Sequence, residues 1–310
     1  MDTRFTGVVP PVITPFTPAG EIDFPSLARV IENLIEGGVD GLFVLGSSGE
    51  VAYLTDVQRD QIVRFTVEQA QGRVPVLAGA IDMTAARVCE QARRAAALGA
   101  DAIVASCPFY AINDVTEIAD HFRAIAASVD VPLFAYDVPV RLNGIKLDCD
   151  LLVGLGTEGV LAGVKDSSGN DVAFRRLVAA NEQAGHPLVL LTGHECVVDG
   201  LLLLGADGMV PGYGNVEPTL YAQMWQAAQA GQWQQVRSLQ DRICAGFEIV
   251  YAPQGRSADA TGIGAFKTAM EALGIIASNT MAFPVKALAG ADKQRVLDVL
   301  RQVGLLGDAA

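Results

Sequence analysis

The chain repeats one pattern eight times: a short apolar segment, then a polar or glycine-containing turn, then in most cases an amphipathic helix. The eight apolar segments are residues 7–16, 41–46, 74–80, 101–107, 131–136, 160–165, 187–193 and 207–212. They are continuous apolar runs, which is typical of parallel strands covered on both faces. Eight such units predict an α/β protein with a (β/α)8 barrel, and an open doubly wound sheet is the alternative.

The segments between the strands carry helix signals. In the first of them, apolar residues recur at helical spacing, and they are Leu27, Val30, Ile31 and Leu34. Thr55 and Gln58 form the pattern of a capping box at the start of the second helix. Three more helical patterns follow the last strand–helix unit. The sequence therefore predicts a barrel domain at residues 1–231 and a C-terminal helical extension, packed on the barrel, at residues 232–310.

Composition excludes several classes of partner. The net charge is -13, so the chain lacks the basic face that contacts with phosphates of nucleic acid require. No apolar run reaches the roughly 18 to 20 residues of a membrane span, and the first residues lack the pattern of a signal peptide. The five cysteines include no CxxC pair, which argues against a disulfide framework. We expect a cytoplasmic protein with no nucleic-acid or membrane partner.

In such barrels the active site lies at the carboxyl ends of the strands, and Lys165 ends the sixth apolar segment. Leu161, Gly163 and Lys165 share one face of that strand. If this face points inward, Gly163 leaves room for the lysine stem. Burial penalises the charged ammonium, and a neutral amine is a nucleophile for a carbonyl. The alternative is a lysine that extends to the rim and pairs with Asp166.

Polar residues also lie at the ends of two other strands, the second and the fifth. Tyr136 could relay protons to an adduct on a lysine, or be a core tyrosine with a satisfied hydroxyl. The loop at residues 46–50 offers the hydroxyls of Ser47 and Ser48 and backbone N–H groups, which suit a small carboxylate, or it is a plain turn. Arg141 could hold a second carboxylate, or form a surface salt bridge.

Other chemical motifs are missing from the sequence. There is no Walker A sequence, no HExxH and no dinucleotide-binding fingerprint. His194, Glu195 and Cys196 are adjacent, an arrangement that suits metal chelation poorly. We expect neither a metal nor an organic cofactor.

Four motifs together resemble a known superfamily. The stretches "GSSGE", "CPFY", "YDVPVR" and "GVKDSSGN" occur in the order and spacing of dihydrodipicolinate synthases and N-acetylneuraminate lyases. The resemblance runs from "GVVPPVITPF" to the C-terminal "FKTAMEALG". It implies the same barrel with C-terminal helices, and a homo-oligomer, a tetramer or a dimer.

The resemblance also implies a reaction. Lys165 would condense with the ketone of pyruvate or a related 2-oxo acid to form a Schiff base. The iminium withdraws electrons, so that a proton or an aldehyde can leave C3. Tyr136 would relay protons, and Ser47 would link it to Tyr110, which members of the family usually supply from a neighbouring subunit.

The resemblance is less specific about the second substrate. Ser48 and the loop N–H groups would hold the pyruvate carboxylate, and Gly193 would line the same pocket. Synthases carry an arginine at the position of Arg141 to hold aspartate semialdehyde, which favours 4-hydroxy-tetrahydrodipicolinate synthase activity. They usually have asparagine at Asp137 and threonine or serine at Leu142. A 2-keto-3-deoxy sugar-acid aldolase or dehydratase is the alternative.

Two further classes remain as hypotheses. A non-catalytic protein could use the same barrel to bind a 2-oxo acid, although such a protein needs neither Lys165 nor Tyr136. A metal-dependent barrel enzyme is the other, and it would lose activity on chelation.

Overall fold

The computed structural model describes residues 2–307, and its eight strands form one parallel sheet. The strands are β1 (Gly7–Val8), β2 (Leu42–Val44), β3 (Val76–Gly79), β4 (Ala102–Ser106), β5 (Leu133–Asp137), β6 (Gly163–Asp166), β7 (Val189–Thr192) and β8 (Gly208–Met209). Each lies within or overlaps one of the predicted segments. The order in the sheet is β1-β8-β7-β6-β5-β4-β3-β2.

Pairing just beyond β1 closes this sheet into a barrel. Pro11 pairs in parallel with Phe43 of β2. The N–H of Phe43 donates to the carbonyl of Pro10 at 3.0 Å, and the N–H of Val12 donates to the carbonyl of Phe43 at 2.8 Å. The prediction of a (β/α)8 barrel is confirmed, and the open doubly wound sheet is wrong.

Within the described residues, eight helices alternate with the strands and four more follow them. The first eight are α1 (Phe24–Glu36), α2 (Asp56–Ala70), α3 (Ala85–Ala97), α4 (Val115–Ala126), α5 (Cys149–Thr157), α6 (Asp171–Gln183), α7 (Val198–Leu204) and α8 (Pro218–Gln229). The last four are α9 (Trp233–Phe247), α10 (Ala258–Thr261), α11 (Ile263–Ala272) and α12 (Gly290–Gln302). The capping box of Thr55 and Gln58 is present at the start of α2.

Helix α5 lacked a sequence pattern strong enough to predict it. It has nine residues, two of them glycines, which lower helix propensity. A Cβ atom at Gly156 would lie 2.7 Å from the side chain of Leu188. Close packing against the barrel therefore explains a glycine that local propensity disfavours.

Aromatic rings fill the barrel beneath the predicted active site. The rings of Phe5 and Phe134 meet edge to face, with centroids 5.4 Å apart. Phe134 lies opposite Gly163 in the sheet, and a Cβ atom at Gly163 would overlap its ring. The expectation that Gly163 makes room for the stem of Lys165 is therefore wrong, because the space belongs to the ring of Phe134.

The C-terminal helices pack against the barrel. The ring of Tyr213, which follows β8, has its centroid 6.4 Å from those of Phe247 in α9 and Phe266 in α11. The proposed boundary after residue 231 falls between α8 and α9, and the division at that point stays a prediction. Within residues 2–307, no helix combines the length and the apolar character needed to cross a bilayer.

Candidate active site

Lys165 and Tyr136 lie side by side at the carboxyl end of the barrel. They are directly paired between β6 and β5. Lys165 is only 5% exposed, and its Nζ lies 3.7 Å from the centroid of the Tyr136 ring and 5.4 Å from that of Phe43. Aromatic faces attract a cation but do not neutralise it. The amine is therefore buried among aromatic rings instead of extending to the rim.

Asp166 does not pair with Lys165. One of its carboxylate oxygens accepts the N–H of Ser168 at 2.7 Å, and the other lies 3.3 Å from Nζ of Lys146. Asp166 therefore holds the loop after β6, and the amine of Lys165 is left available for a substrate.

Tyr136 is positioned to move protons. Its hydroxyl lies 3.3 Å from that of Ser47. Burial opposes ionisation of Tyr136, but the nearby positive charge of Lys165 and the hydrogen bond with Ser47 outweigh it, so its pKa lies below the usual value. A tyrosine that releases its proton readily beside an amine is suited to acid–base work on an adduct of that amine.

The loop at residues 46–50 presents backbone donors. The N–H of Gly49 donates to the carbonyl of Gly46 at 3.1 Å, and the N–H of Glu50 to that of Ser47 at 3.0 Å. In the described part of the chain, no hydrogen bond engages the N–H groups of Ser47 and Ser48. Adjacent free N–H groups are the arrangement that binds a carboxylate.

A buried ion pair anchors this loop to the C-terminal helices. Glu50 has a left-handed backbone, and its carboxylate contacts Nζ of Lys267 in α11 and accepts the N–H of Ala282 at 2.8 Å. Lys267 also donates to the carbonyl of Thr280 at 3.0 Å. Burial lowers the pKa of Lys267 to about 8, and Glu50 limits the fall. The extension therefore holds the loop that carries Ser47.

We expect Lys267→Met to lower the free energy of unfolding by about 3 kcal/mol, because it leaves the carboxylate of Glu50 buried without its cation. Denaturant unfolding measures the change. Lys286→Met is the matched control at an exposed site and should stay within about 0.5 kcal/mol of the wild type. Equal stability of the two variants would contradict the role of the pair.

A cavity of about 140 Å³ opens beside Ser47 and Tyr136. Its lining residues are Ser47, Glu50, Val51, Ala52, Tyr53, Ile81, Ser106, Phe109, Tyr136, Val138, Arg141, Leu142 and Asp259. Arg141 contacts the carboxylate of Asp259, which also accepts the hydroxyl of Tyr53 at 2.9 Å. Burial opposes ionisation of Asp259, but Arg141 keeps its pKa below the usual value. Arg141 therefore has an ion pair, and that pair faces the cavity.

Another charged cluster lies at the carboxyl ends of β5 and β6. Asp137 and Asp166 are paired between these strands, and Nζ of Lys146 contacts both carboxylates. Burial and the neighbouring Asp166 raise the pKa of Asp137 to about 6, although Lys146 opposes the shift. The N–H of Leu147 donates to Asp137 at 3.2 Å. The cluster fixes the loop that carries Arg141.

Four predicted residues, Lys165, Tyr110, Gly193 and Ser48, are not among those that line the cavity, although Lys165 packs against the ring of Tyr136, which does line it. Tyr110 is 87% exposed and has a left-handed backbone. Gly193 donates its N–H to the carbonyl of Asp166 at 2.7 Å, and a Cβ atom there would overlap Oγ of Ser167. Ser48 is half-buried in its loop. The predicted residues that this chain brings together are Lys165, Tyr136, Ser47 and Arg141.

Glu195 holds the loop after β8. Its carboxylate accepts the N–H groups of Gly212 and Tyr213 at 2.8 Å each, and the hydroxyl of Tyr221 at 2.9 Å. Burial raises its pKa to about 7. Among residues 2–307, no group of three or more acidic, histidine or cysteine side chains is arranged to hold a metal ion.

Tyr53 and Asp259 are among the cavity residues that sequence reasoning missed. They are 206 positions apart, and neither belongs to a motif. Ser257 caps the short helix α10 on which Asp259 lies. An N-cap pattern predicts a helix start, but it carries no information about contact with Arg141.

A buried lysine beside a tyrosine at the carboxyl ends of barrel strands defines the class, a Schiff-base lyase on a (β/α)8 barrel. The sequence profile of the Dihydrodipicolinate synthetase family matches residues 4–303, so the chain belongs to that family.

Relatives of this chain are named for different activities. A 4-hydroxy-tetrahydrodipicolinate synthase of Phenylobacterium zucineum is 32% identical over 99% of this chain and 100% of its own length. The putative 2-dehydro-3-deoxy-D-gluconate aldolase YagE of Escherichia coli is 35% identical over 73% of this chain and 75% of its own.

Solved structures repeat the fold. The crystal structure of YagE in complex with pyruvate has a TM-score of 0.91 and 29% identity, and covers 97% of this chain and 99% of that chain. The dihydrodipicolinate synthase of Bacteroides thetaiotaomicron also has a TM-score of 0.91 and 29% identity, covering 97% and 100%. The chain is thus similar both to dihydrodipicolinate synthases and to a protein named as a putative 2-dehydro-3-deoxy-D-gluconate aldolase.

Proposed function

We propose that this lyase holds pyruvate as a Schiff base on Lys165 and forms or breaks a bond between C3 of pyruvate and an aldehyde. The observation that carries the proposal is the amine of Lys165, which is buried against the ring of Tyr136 and forms no ion pair with any carboxylate in residues 2–307. Trapping with borohydride in the presence of pyruvate tests it. A mass gain of one reduced pyruvate on Lys165 supports the lyase, whereas tight pyruvate binding without an adduct supports a binding protein.

The geometry suggests a role for each group. The amine of Lys165 attacks C2 of pyruvate, and Tyr136 donates a proton to the carbonyl oxygen, which leaves as water. The deprotonated Tyr136 takes a proton from C3, which converts the iminium into an enamine. C3 of the enamine then attacks the aldehyde carbon, and Tyr136 returns the proton to the aldehyde oxygen. The hydroxyl of Ser47, 3.3 Å from that of Tyr136, carries protons to and from the site. The free N–H groups of Ser47 and Ser48 hold the pyruvate carboxylate.

The first candidate for the aldehyde is aspartate semialdehyde, which makes the activity that of a 4-hydroxy-tetrahydrodipicolinate synthase. Arg141 at the cavity supports this, since its planar guanidinium can bind a carboxylate through two N–H groups. The full-length similarity to the Phenylobacterium zucineum synthase supports it too.

Arg141→Ala is expected to lower kcat/KM for aspartate semialdehyde by roughly 10²-fold, because the acceptor loses its charged partner. Steady-state kinetics with pyruvate in excess measures the change, and the yield of borohydride-trapped pyruvate adduct should remain that of the wild type. Unchanged kcat/KM would remove Arg141 from acceptor binding.

The second candidate is a 2-dehydro-3-deoxy sugar acid, cleaved to pyruvate and a hydroxy-aldehyde. The ion pair of Arg141 with Asp259 favours it, since a paired arginine is less available to a carboxylate. The similarity to YagE also supports it. Release of pyruvate from 2-dehydro-3-deoxy-D-gluconate is the direct assay.

We also propose that the protein is a cytoplasmic homo-oligomer, a tetramer or a dimer. The exposed side chain of Tyr110 would then reach the site of a neighbouring subunit and complete the proton path through Ser47. Native mass spectrometry measures the assembly, and a purely monomeric active protein would exclude this role for Tyr110.

A further inference from the structure

We infer that Asp259 is a specificity-determining residue, whose negative charge biases the acceptor site toward uncharged, hydroxylated aldehydes and against carboxylated ones. The inference deepens the proposed pyruvate lyase function and rests on it. It concerns a residue of the C-terminal helices, outside the barrel strands that carry the reacting groups.

The charges around the cavity support this. Arg141 is the only lysine or arginine among the described residues that line it. Its guanidinium contacts Asp259, whereas the other lining carboxylate, Glu50, is paired with Lys267 behind the loop. An acceptor carboxylate at Arg141 would therefore lie beside the carboxylate of Asp259. Two neighbouring carboxylates repel each other, which disfavours binding of the carboxylated substrate. The repulsion is screened only weakly in a partly buried site.

Asp259 is held firmly in this position. One carboxylate oxygen contacts Arg141, and the other accepts the hydroxyl of Tyr53 at 2.9 Å. The residue is buried, and its short helix is capped by Ser257, whose Oγ accepts the N–H of Ala260 at 3.3 Å. A carboxylated acceptor would therefore have to compete with a preformed ion pair, not with solvent.

The same cavity offers groups that suit hydroxyls. Ser106, at the end of β4, is 1% exposed, and its Oγ has no hydrogen-bond partner among the described residues. It lies opposite Tyr136 in the sheet and lines the cavity. A buried hydroxyl without a partner is costly unless a ligand or water satisfies it. Ser106 can donate a hydrogen bond to a hydroxyl of the aldehyde substrate or accept one from it. The carboxylate of Asp259 can accept a hydrogen bond from such a hydroxyl.

The test is Asp259→Asn, which removes the charge and keeps the shape. We measure kcat/KM for aspartate semialdehyde and for D-glyceraldehyde, each with excess pyruvate, and expect the semialdehyde-to-glyceraldehyde ratio to rise about tenfold or more. The matched control is Glu158→Gln, which makes the same charge change in the exposed pair with Arg123 and should leave the ratio as it is. A ratio that changes less than about twofold, or that falls, overturns the inference.

Tyr53→Phe separates charge from geometry. It removes the hydrogen bond to Asp259 but keeps the carboxylate, so the ratio should stay within about threefold of the wild type. If Tyr53→Phe changed the ratio of kcat/KM values as much as Asp259→Asn does, the position of the Asp259 carboxylate would matter and not its charge. That result would overturn the inference.

Inhibition of borohydride trapping by succinate tests the inference without turnover, and it can be used if neither aldehyde reacts. Succinate competes with pyruvate during borohydride trapping, and the concentration that halves the trapping rate should fall about tenfold in Asp259→Asn. An unchanged concentration overturns the inference. If the wild type forms no pyruvate adduct at all, the proposed lyase function fails instead, so the two failures are distinguishable.

Discussion

Lys165→Arg is expected to lower turnover by roughly 10⁴-fold or more, because a guanidinium stays protonated and cannot attack the ketone of pyruvate. The positive charge beside Tyr136 and Phe43 is retained, so the fold and the aromatic contacts should survive. Pyruvate release or consumption measures activity, and the mass of the borohydride-treated protein measures the adduct. Both signals should disappear together.

Lys286→Arg is the matched control for this experiment. It makes the same substitution at an exposed position and should keep both activity and adduct. Wild-type adduct yield in Lys165→Arg would show that another amine is the nucleophile. Lys146 is the first alternative to examine in that case, since it lies beside Asp137 and Asp166 at the same end of the barrel.

Tyr136→Phe is expected to slow turnover by roughly 10² to 10⁴-fold, because it removes the proton donor and acceptor but keeps the ring. The ring continues to pack against Phe43 and under the amine of Lys165. Pyruvate binding should therefore persist, while formation of the Schiff base becomes slow. Borohydride added at successive times after pyruvate separates pyruvate binding from Schiff-base formation, since the trapped mass reports the rate of adduct formation.

The pH profile gives a second readout of the same variant. Because the pKa of Tyr136 lies below its usual value, the wild-type profile should contain an ionisation from this hydroxyl that Tyr136→Phe removes. Tyr251→Phe, at an exposed tyrosine, is the control. A slow variant with an unchanged profile would make Tyr136 a structural residue.

The C-terminal helices do more than cover the barrel. Lys267 holds the loop that carries Ser47 through Glu50, 217 positions away in sequence, and Asp259 holds Arg141, 118 positions away. The reacting amine and tyrosine come from the strands, whereas these positioning residues come from the extension. Changes at Asp259 should therefore alter acceptor choice first, whereas changes at Lys267 should also affect adduct formation, because they disturb the loop that carries Ser47.

The sequence alone determined the barrel and the place of its reacting residues. Eight apolar runs with intervening helices can cover a parallel sheet on both faces, and a barrel puts the carboxyl ends of those runs at one mouth. Lys165 and Tyr136 end neighbouring strands, so their proximity followed from strand order, and the structure pairs them. Local patterns carried this information because it depends on periodicity and order only.

Only the tertiary structure decided what surrounds these residues. The ring of Phe134 occupies the space over Gly163. The carboxylate of Asp166 contacts Lys146, and that of Asp259 contacts Arg141. Each contact joins residues whose separation in sequence has no periodic relation, so no local pattern predicts it. Whether Arg141 is free or paired, and hence which acceptor it favours, depends on how the C-terminal helices pack against the barrel mouth.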